Sequence, residues 1–371
     1  MEEKGRIGIP RALMFYRYLP LWRTFFEVLG WEVIVSDGRE KREKIVYFED
    51  SCLPMKMLVT HAVQLKDKVD HLFIPRLVSV HRTTIMCPKF RGAPDIVRLA
   101  TEGKVPIIDE TVDLQKGGNS FLESFLKIGE KLGASRKESK KAFQEGERSF
   151  SQFKREWMNR INGLPTGQLF EMEIPTRQTT NYTQKVSPPL AGGDEVEGGP
   201  RRIYSPPPSL IKGGGKETGF PWRVALLGHP YNLFDIDINK DTPALTKSLG
   251  MEIVTADLLS EDEIDRQVSD LSKEIYWSSG REIVGSLFHF LSAGVDGLIF
   301  LTSFKCGIDA LLQEFIKRRL KVQGGSAIPL LILSFDEHTG REGLSTRLEA
   351  FRDVMEQRRG MSNVKAQISN E

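Results

Sequence analysis

The chain repeats one folding pattern in its two halves. Residues 6–37 run RIGIPRALMFYRYLPLWRTFFEVLGWEVIVSD and residues 223–257 run RVALLGHPYNLFDIDINKDTPALTKSLGMEIVTAD. Each reads as an apolar strand, a proline-containing loop and a helix. Each then enters a second strand through Leu-Gly-x-Glu followed by Val or Ile, ending at Asp37 or Asp257. The parallel continues. Val69 to Pro75 matches Val295 to Leu301, and Val105 to Asp109 faces Ile328 to Leu333. Short apolar strands separated by helical patterns predict parallel sheets covered by helices. The expectation is an α/β protein of two Rossmann-like lobes with parallel sheets, an internal duplication and a cleft between the lobes. In such sheets, ligands lie beyond the carboxyl ends of the strands.

Between the halves the pattern fails. From about 175 to 221 the sequence is dense in Pro, Gly, Ser and Thr, with neither helical nor strand period, and reads as a disordered insert or linker. The expected division is a first α/β lobe at 1–174, the insert at 175–221 and a second α/β lobe at 222–371. Residues 121–160 carry apolar positions at helical spacing and predict one or two amphipathic helices closing the first lobe.

Charge excludes some partners. With 52 basic and 50 acidic residues the net charge is +2, which offers no field for nucleic acid. No run approaches the roughly 18 apolar residues of a membrane span. The opening MEEKGRIGIPRAL is charged and lacks the apolar core of a signal peptide. A cytoplasmic protein is expected.

The chain holds three cysteines: Cys52 in EDSCLP, Cys87 in MCPKF and Cys306 in SFKCG. Each stands where a loop passes into a helix, with proline or glycine beside it. A helix N-terminus favours thiolate over thiol, so three thiolates meeting there would bind a soft metal centre with one position open. Two cysteines come from the first half and one from the second, which points to the interlobe cleft. The competing reading makes them small buried hydrophobes, and no CxxC pair decides between the two.

Other loops carry candidate chemistry. Gly228-His229-Pro230-Tyr231-Asn232 follows the first strand of the second half, and Asp336-Glu337-His338-Thr339-Gly340 follows its last. His229, Glu337 and His338 are candidates for acid–base work, with turn and capping chemistry as the alternative. Arg76 would balance cluster charge or pair with a carboxylate. Neither GxGxxG nor GxxxxGK[ST] occurs, and no nucleophile elbow.

The strings RIGIPRAL, FEDSCLPMK, FIPRLVSV, CPKF, GHPYN, TSFKCG and DEHTGREGLSTRLEAF together resemble the acyl-CoA dehydratase activase-related family. That family is similar to 2-hydroxyacyl-CoA dehydratase subunits and double-cubane cluster proteins. The resemblance implies a 4Fe–4S-type cluster held between Rossmann-like lobes, with Cys52, Cys87 and Cys306 as ligands. It also implies electrons from a separate ATP-dependent activator and an acyl-CoA as candidate substrate. Two departures stand out: this chain carries no ATP-binding domain of the activator, and three cysteines are too few for a double cubane. Three functions follow. The chain is an iron–sulfur redox protein acting as a dehydratase-like or reductase component of an anaerobic electron-transfer system. Alternatively, it is a non-enzymatic accessory or cluster carrier of the activase system. The third reading is a two-lobed small-molecule binding protein with structural cysteines. A homodimer or heteromer is compatible with each.

Overall fold

The computed structural model describes residues 4–36, 50–115, 121–163, 221–269, 271, 273–322 and 328–368. Asp37, the run Lys44 to Phe48 ahead of Cys52, and the Pro/Gly-rich insert apart from Pro221 lie outside the described residues.

The first lobe holds β1 (Arg6–Ile9), α1 (Phe15–Val28), β2 (Glu32–Val35), α2 (Leu53–Leu65), β3 (His71–Phe73) and β4 (Arg76–Ser79). It continues through α3 (Pro88–Ala100), β5 (Ile107–Ile108), β6 (Thr111–Asp113), α4 (Phe121–Lys131) and α5 (Arg136–Gly163). Its parallel sheet has the order β2-β1-β3-β5, and β4 pairs in parallel with β6 as a separate ribbon. The second lobe holds β7 (Trp222–Gly228), α6 (Pro230–Phe234), α7 (Ile236–Asn239), α8 (Thr242–Ser248), β8 (Met251–Thr255), α9 (Glu261–Val268) and α10 (Ser278–Ala293). Then come β9 (Gly297–Ser303), α11 (Gly307–Val322), β10 (Leu330–Phe335) and α12 (Arg341–Ile368). Its parallel sheet has the order β10-β9-β7-β8. Read from the second strand of each half, both sheets run second-first-third-fourth. That order is common to flavodoxin-like folds, so it establishes the lobes' architecture and not their descent. Among the described residues the ribbon β4–β6 has no counterpart in the second lobe, and it was not signalled by the sequence.

Strand periodicity sorts the second lobe's core. Successive side chains on a strand face opposite sides of the sheet. Val224 and Leu226 of β7, Ile299 and Leu301 of β9, and Leu333 and Phe335 of β10 join one apolar cluster. Ala225, Leu227, Leu298, Phe300 and Ile332 pack into the other, under α10 and α11. The first cluster runs on without a break into the first lobe, through Tyr231 and Leu233 to Phe90, Leu13 and the aromatic residues of α1. The lobes therefore share this core.

Polar contacts also join the lobes. The Ile85 N–H donates to the Tyr276 carbonyl at 3.0 Å, and the Ser278 N–H donates to the Ile85 carbonyl at 2.9 Å. Lys56 of α2 pairs with Glu337 at 2.8 Å. Arg17 of α1 makes a two-pronged ion pair with Glu282 of α10.

Candidate metal centre

Proline builds two of the three cysteine positions. Pro54 and Pro88 occupy the first turns of α2 and α3, where a missing N–H costs nothing and the fixed φ suits the helix. Cys52 and Cys87 are thereby left as the N-cap residues. Cys306 immediately precedes α11, and its carbonyl accepts from the Ala310 N–H at 3.1 Å. All three cysteines line one interlobe cleft of about 580 Å³, counting the part open to solvent.

Further helices begin at the same cleft. Met14 caps α1, His229 caps α6, and Ser278 and Ser279 open α10; all four residues line it. Trp277, the N-cap of α10, holds the position that Cys52 holds in the first lobe, so the second lobe presents serines there instead of a thiol. Six helix N-termini thus direct their positive ends toward one space, a field that favours an anionic occupant. Backbone strain gathers at its rim. Leu13, at φ 55°, lines the cleft, and Lys305, at φ 64°, directly precedes Cys306. Left-handed conformations are unfavourable for such side chains and cluster at functional sites.

Burial opposes the ionisation of Cys52 and Cys87. It pushes Cys52 up to about 11, against the opposing charge of Lys89. It also raises Cys87, although the Lys89 N–H works the other way. The preference of a helix N-terminus for thiolate over thiol is thus opposed by burial at these two. Desolvation of the charged form outweighs a partial dipole charge, so a cation bound against Cys52 and Cys87 would favour their thiolate forms.

His229 is buried and belongs to the second lobe's half of the cleft. Its Nε2 lies 2.7 Å from Asp309 Oδ1, while the other oxygen, Asp309 Oδ2, accepts the Ser303 N–H at 2.9 Å. Burial works to lower the imidazole's value. Asp309, followed by the Cys306 side chain, outweighs it and raises His229 to about 10, the direction that favours the protonated ring. Ligand atoms of His229, Cys306 and Asp309 all lie within 4.8 Å of one another. These residues flank the gap between β7 and β9, the place where an open α/β sheet reverses its winding and binds ligands.

The other candidates stand elsewhere. Glu337 pairs with Lys56, and His338 is exposed, its N–H donating to Asp336 Oδ1 at 3.0 Å within a turn. Neither lines the cleft, so the structure does not bring the DEHTG loop to His229. Arg76 pairs with Asp95 at 2.7 Å and approaches Asp109 at 3.6 Å, serving carboxylates on its own lobe. The sequence reading missed Arg17, Glu282, Tyr231, Lys89 and Asp309. Of these, Tyr231 carried a signal, since it lies two residues after His229 in the singled-out GHPYN string.

The family model described as the CoA enzyme activase uncharacterised domain (DUF2229) matches residues 6–259. The chain belongs to this family. The matched part of this CoA enzyme activase domain runs from β1 past β8 and holds Cys52, Cys87, His229 and Tyr231, whereas Cys306 and Asp309 lie beyond it. No curated protein matches the chain. Among the described residues no helix is long and apolar enough to cross a membrane.

Proposed function

We propose that this CoA enzyme activase-domain protein holds a 4Fe–4S-type cluster in the interlobe cleft through Cys52, Cys87 and Cys306. One observation carries the reading: three cysteines, distant in sequence and drawn from both lobes, line a single cleft. The donor chemistry fits. Soft thiolates are the ligands of iron–sulfur clusters, and a cation bound against Cys52 and Cys87 would offset the burial that raises both thiols. A bound cluster would accept a low-potential electron from a separate ATP-dependent activator and pass it to a substrate, an acyl-CoA by family resemblance.

The chain's own residues do the rest. The thiols release protons as the metal enters, so loading is favoured as pH rises. Six helix N-termini offset the negative charge of the ligand set. The apolar walls, among them Leu13, Met86 and Phe90, keep water from the thiolates. A cluster held by Cys52, Cys87 and Cys306 would have three protein ligands and could take a substrate atom as a further one.

The test is anaerobic reconstitution of the full chain with iron and sulfide. About four of each per chain are expected, with the electron paramagnetic resonance of a reduced 4Fe–4S centre. Cys52→Ser, Cys87→Ser and Cys306→Ser should each cut bound iron sharply, while His338→Ala, remote from the cleft, leaves it unchanged. Serine variants that hold iron like the parent would show the cysteines to be packing residues.

A further inference from the structure

Adjacent strands bring three metal-binding side chains of the second lobe to one point. β7 and β9 are neighbours in the sheet, and the loops at their carboxyl ends carry His229 and Cys306. Asp309 follows Cys306 by three residues, in the first turn of α11, a spacing that makes the two side chains neighbours. Ligand atoms of all three lie within 4.8 Å of one another. His229 and Asp309 expose only 3% and 2% of their surface. Their atoms Nε2 and Oδ1 stand 2.7 Å apart, yet neither makes a directed hydrogen bond to any described residue. The surroundings hold the groups in place. Asp309 Oδ2 accepts the Ser303 N–H at 2.9 Å, which leaves Oδ1 to the site. The Ser303 hydroxyl donates to Asn232 Oδ1 at 2.7 Å, and Asn232 Nδ2 donates to the Leu301 carbonyl at 3.2 Å. This buried network ties the loop that carries His229 to the end of β9 that carries Cys306. The Tyr231 ring stacks on the imidazole, centroids 4.8 Å apart and planes 12° from parallel. Outer contacts of this kind fix the orientation of ligands in metal sites.

We propose that His229, Cys306 and Asp309 form a mononuclear site for one zinc ion, built by the second lobe alone. Zinc accepts nitrogen, sulfur and oxygen ligands together, whereas magnesium and calcium take oxygen. In a tetrahedral zinc site, ligands about 2.0–2.3 Å from the ion stand roughly 3.3–3.7 Å from one another. The observed separations, 2.7 Å between nitrogen and oxygen and at most 4.8 Å overall, bracket that spacing. Binding sends the Cys306 thiol proton and the proton on His229 Nε2 to solvent. Zinc with a neutral imidazole, a thiolate and a carboxylate then carries no net charge, which suits a buried position. Three protein ligands and one open position are the arrangement of catalytic zinc sites, as distinct from structural ones with four. The zinc site needs neither Cys52 nor Cys87 and goes beyond the cluster reading. The two share Cys306, so one chain carries either the zinc ion or the cluster at a given time.

Zinc titrated into the metal-free full chain is followed by calorimetry, and X-ray absorption at the zinc edge reads the ligands. The parent should bind one zinc ion, with one sulfur neighbour at about 2.3 Å and nitrogen or oxygen neighbours at about 2.0–2.2 Å. Asp309→Asn keeps an acceptor for the Ser303 N–H and should weaken zinc at least tenfold. The double variant Cys52→Ser/Cys87→Ser should bind zinc as the parent does. Two or three sulfur neighbours would put the ion among the cysteines and overturn the assignment. So would loss of zinc from the double variant, equal affinity in Asp309→Asn, or no zinc bound by the parent. The absorption measurement needs only the parent, so it decides the question even where a variant misfolds. Iron and sulfide counts after reconstitution judge the cluster reading separately, since the zinc titration needs no cluster.

Discussion

Glu282→Gln keeps the shape of a side chain that ties the lobes together and removes its charge. Arg17 and Glu282 meet through two contacts, one of them Nη2 to Oε2 at 3.0 Å, with side-chain exposures of 18% and 11%. At such separations two unit charges attract by about 4 kcal/mol in an effective dielectric near 20. Removing one charge also leaves the guanidinium in a desolvated site, and breaking buried pairs in this way costs about 3–5 kcal/mol. The residual exposure and the glutamine's remaining acceptor reduce this, so a loss of about 2–4 kcal/mol is expected. At roughly 2–4 °C per kcal/mol for a unit of 150–250 residues, the melting temperature should fall by about 5–15 °C. Urea unfolding followed by circular dichroism measures the free energy. Arg17→Met alone should cost a similar amount. The double variant Arg17→Met/Glu282→Leu should recover most of the loss, because a well-packed apolar pair often replaces a buried ion pair at no cost. Single variants within about 0.5 kcal/mol of the parent, or a double variant whose losses simply add, would refute the claim that this pair couples the lobes.

Three further expectations follow from the packing. The Lys56 side chain holds Glu337 below its usual carboxyl range, so this pair's contribution is fully present above the unfolded value of about 4.3 and is lost as pH falls through the lower folded value. The parent should therefore lose about 0.5–1 kcal/mol relative to Glu337→Gln on acidification below about pH 4.5, measured by urea titrations at each pH. Gly228→Ala would place a Cβ 2.9 Å from the Leu301 carbonyl oxygen, a backbone atom of the neighbouring strand. It should cost about 1–3 kcal/mol by prising β7 from β9 where they carry His229 and Cys306. Gly343→Ala on α12, with nothing within 4 Å of the added carbon, should instead be neutral or slightly stabilising by thermal melt.

The sequence by itself determined the elements and their class. Strand periodicity and the Leu-Gly-x-Glu entry located β1, β2, β7 and β8, and the apolar spacing over 121–160 located α4 and α5. Pro54 and Pro88 marked the starts of α2 and α3, so the place of Cys52 and Cys87 at helix N-termini was legible too. These are local signals, set by the period of a few neighbouring residues and by the backbone limits of proline. Only the tertiary structure decided which residues meet. Arg17 and Glu282 are separated by 265 positions, and nothing in the surroundings of either names the other. The sequence reading offered His229 and the Glu337–His338 loop as acid–base candidates. Packing gave His229 to Asp309 and Glu337 to Lys56, and it left His338 in solvent. The ionisation of Cys52 and Cys87 was likewise beyond the sequence, because it turns on how deeply two lobes bury a thiol. A helix dipole can be read from a proline and a cap, but the desolvation that overrides it exists only once the shared core has closed.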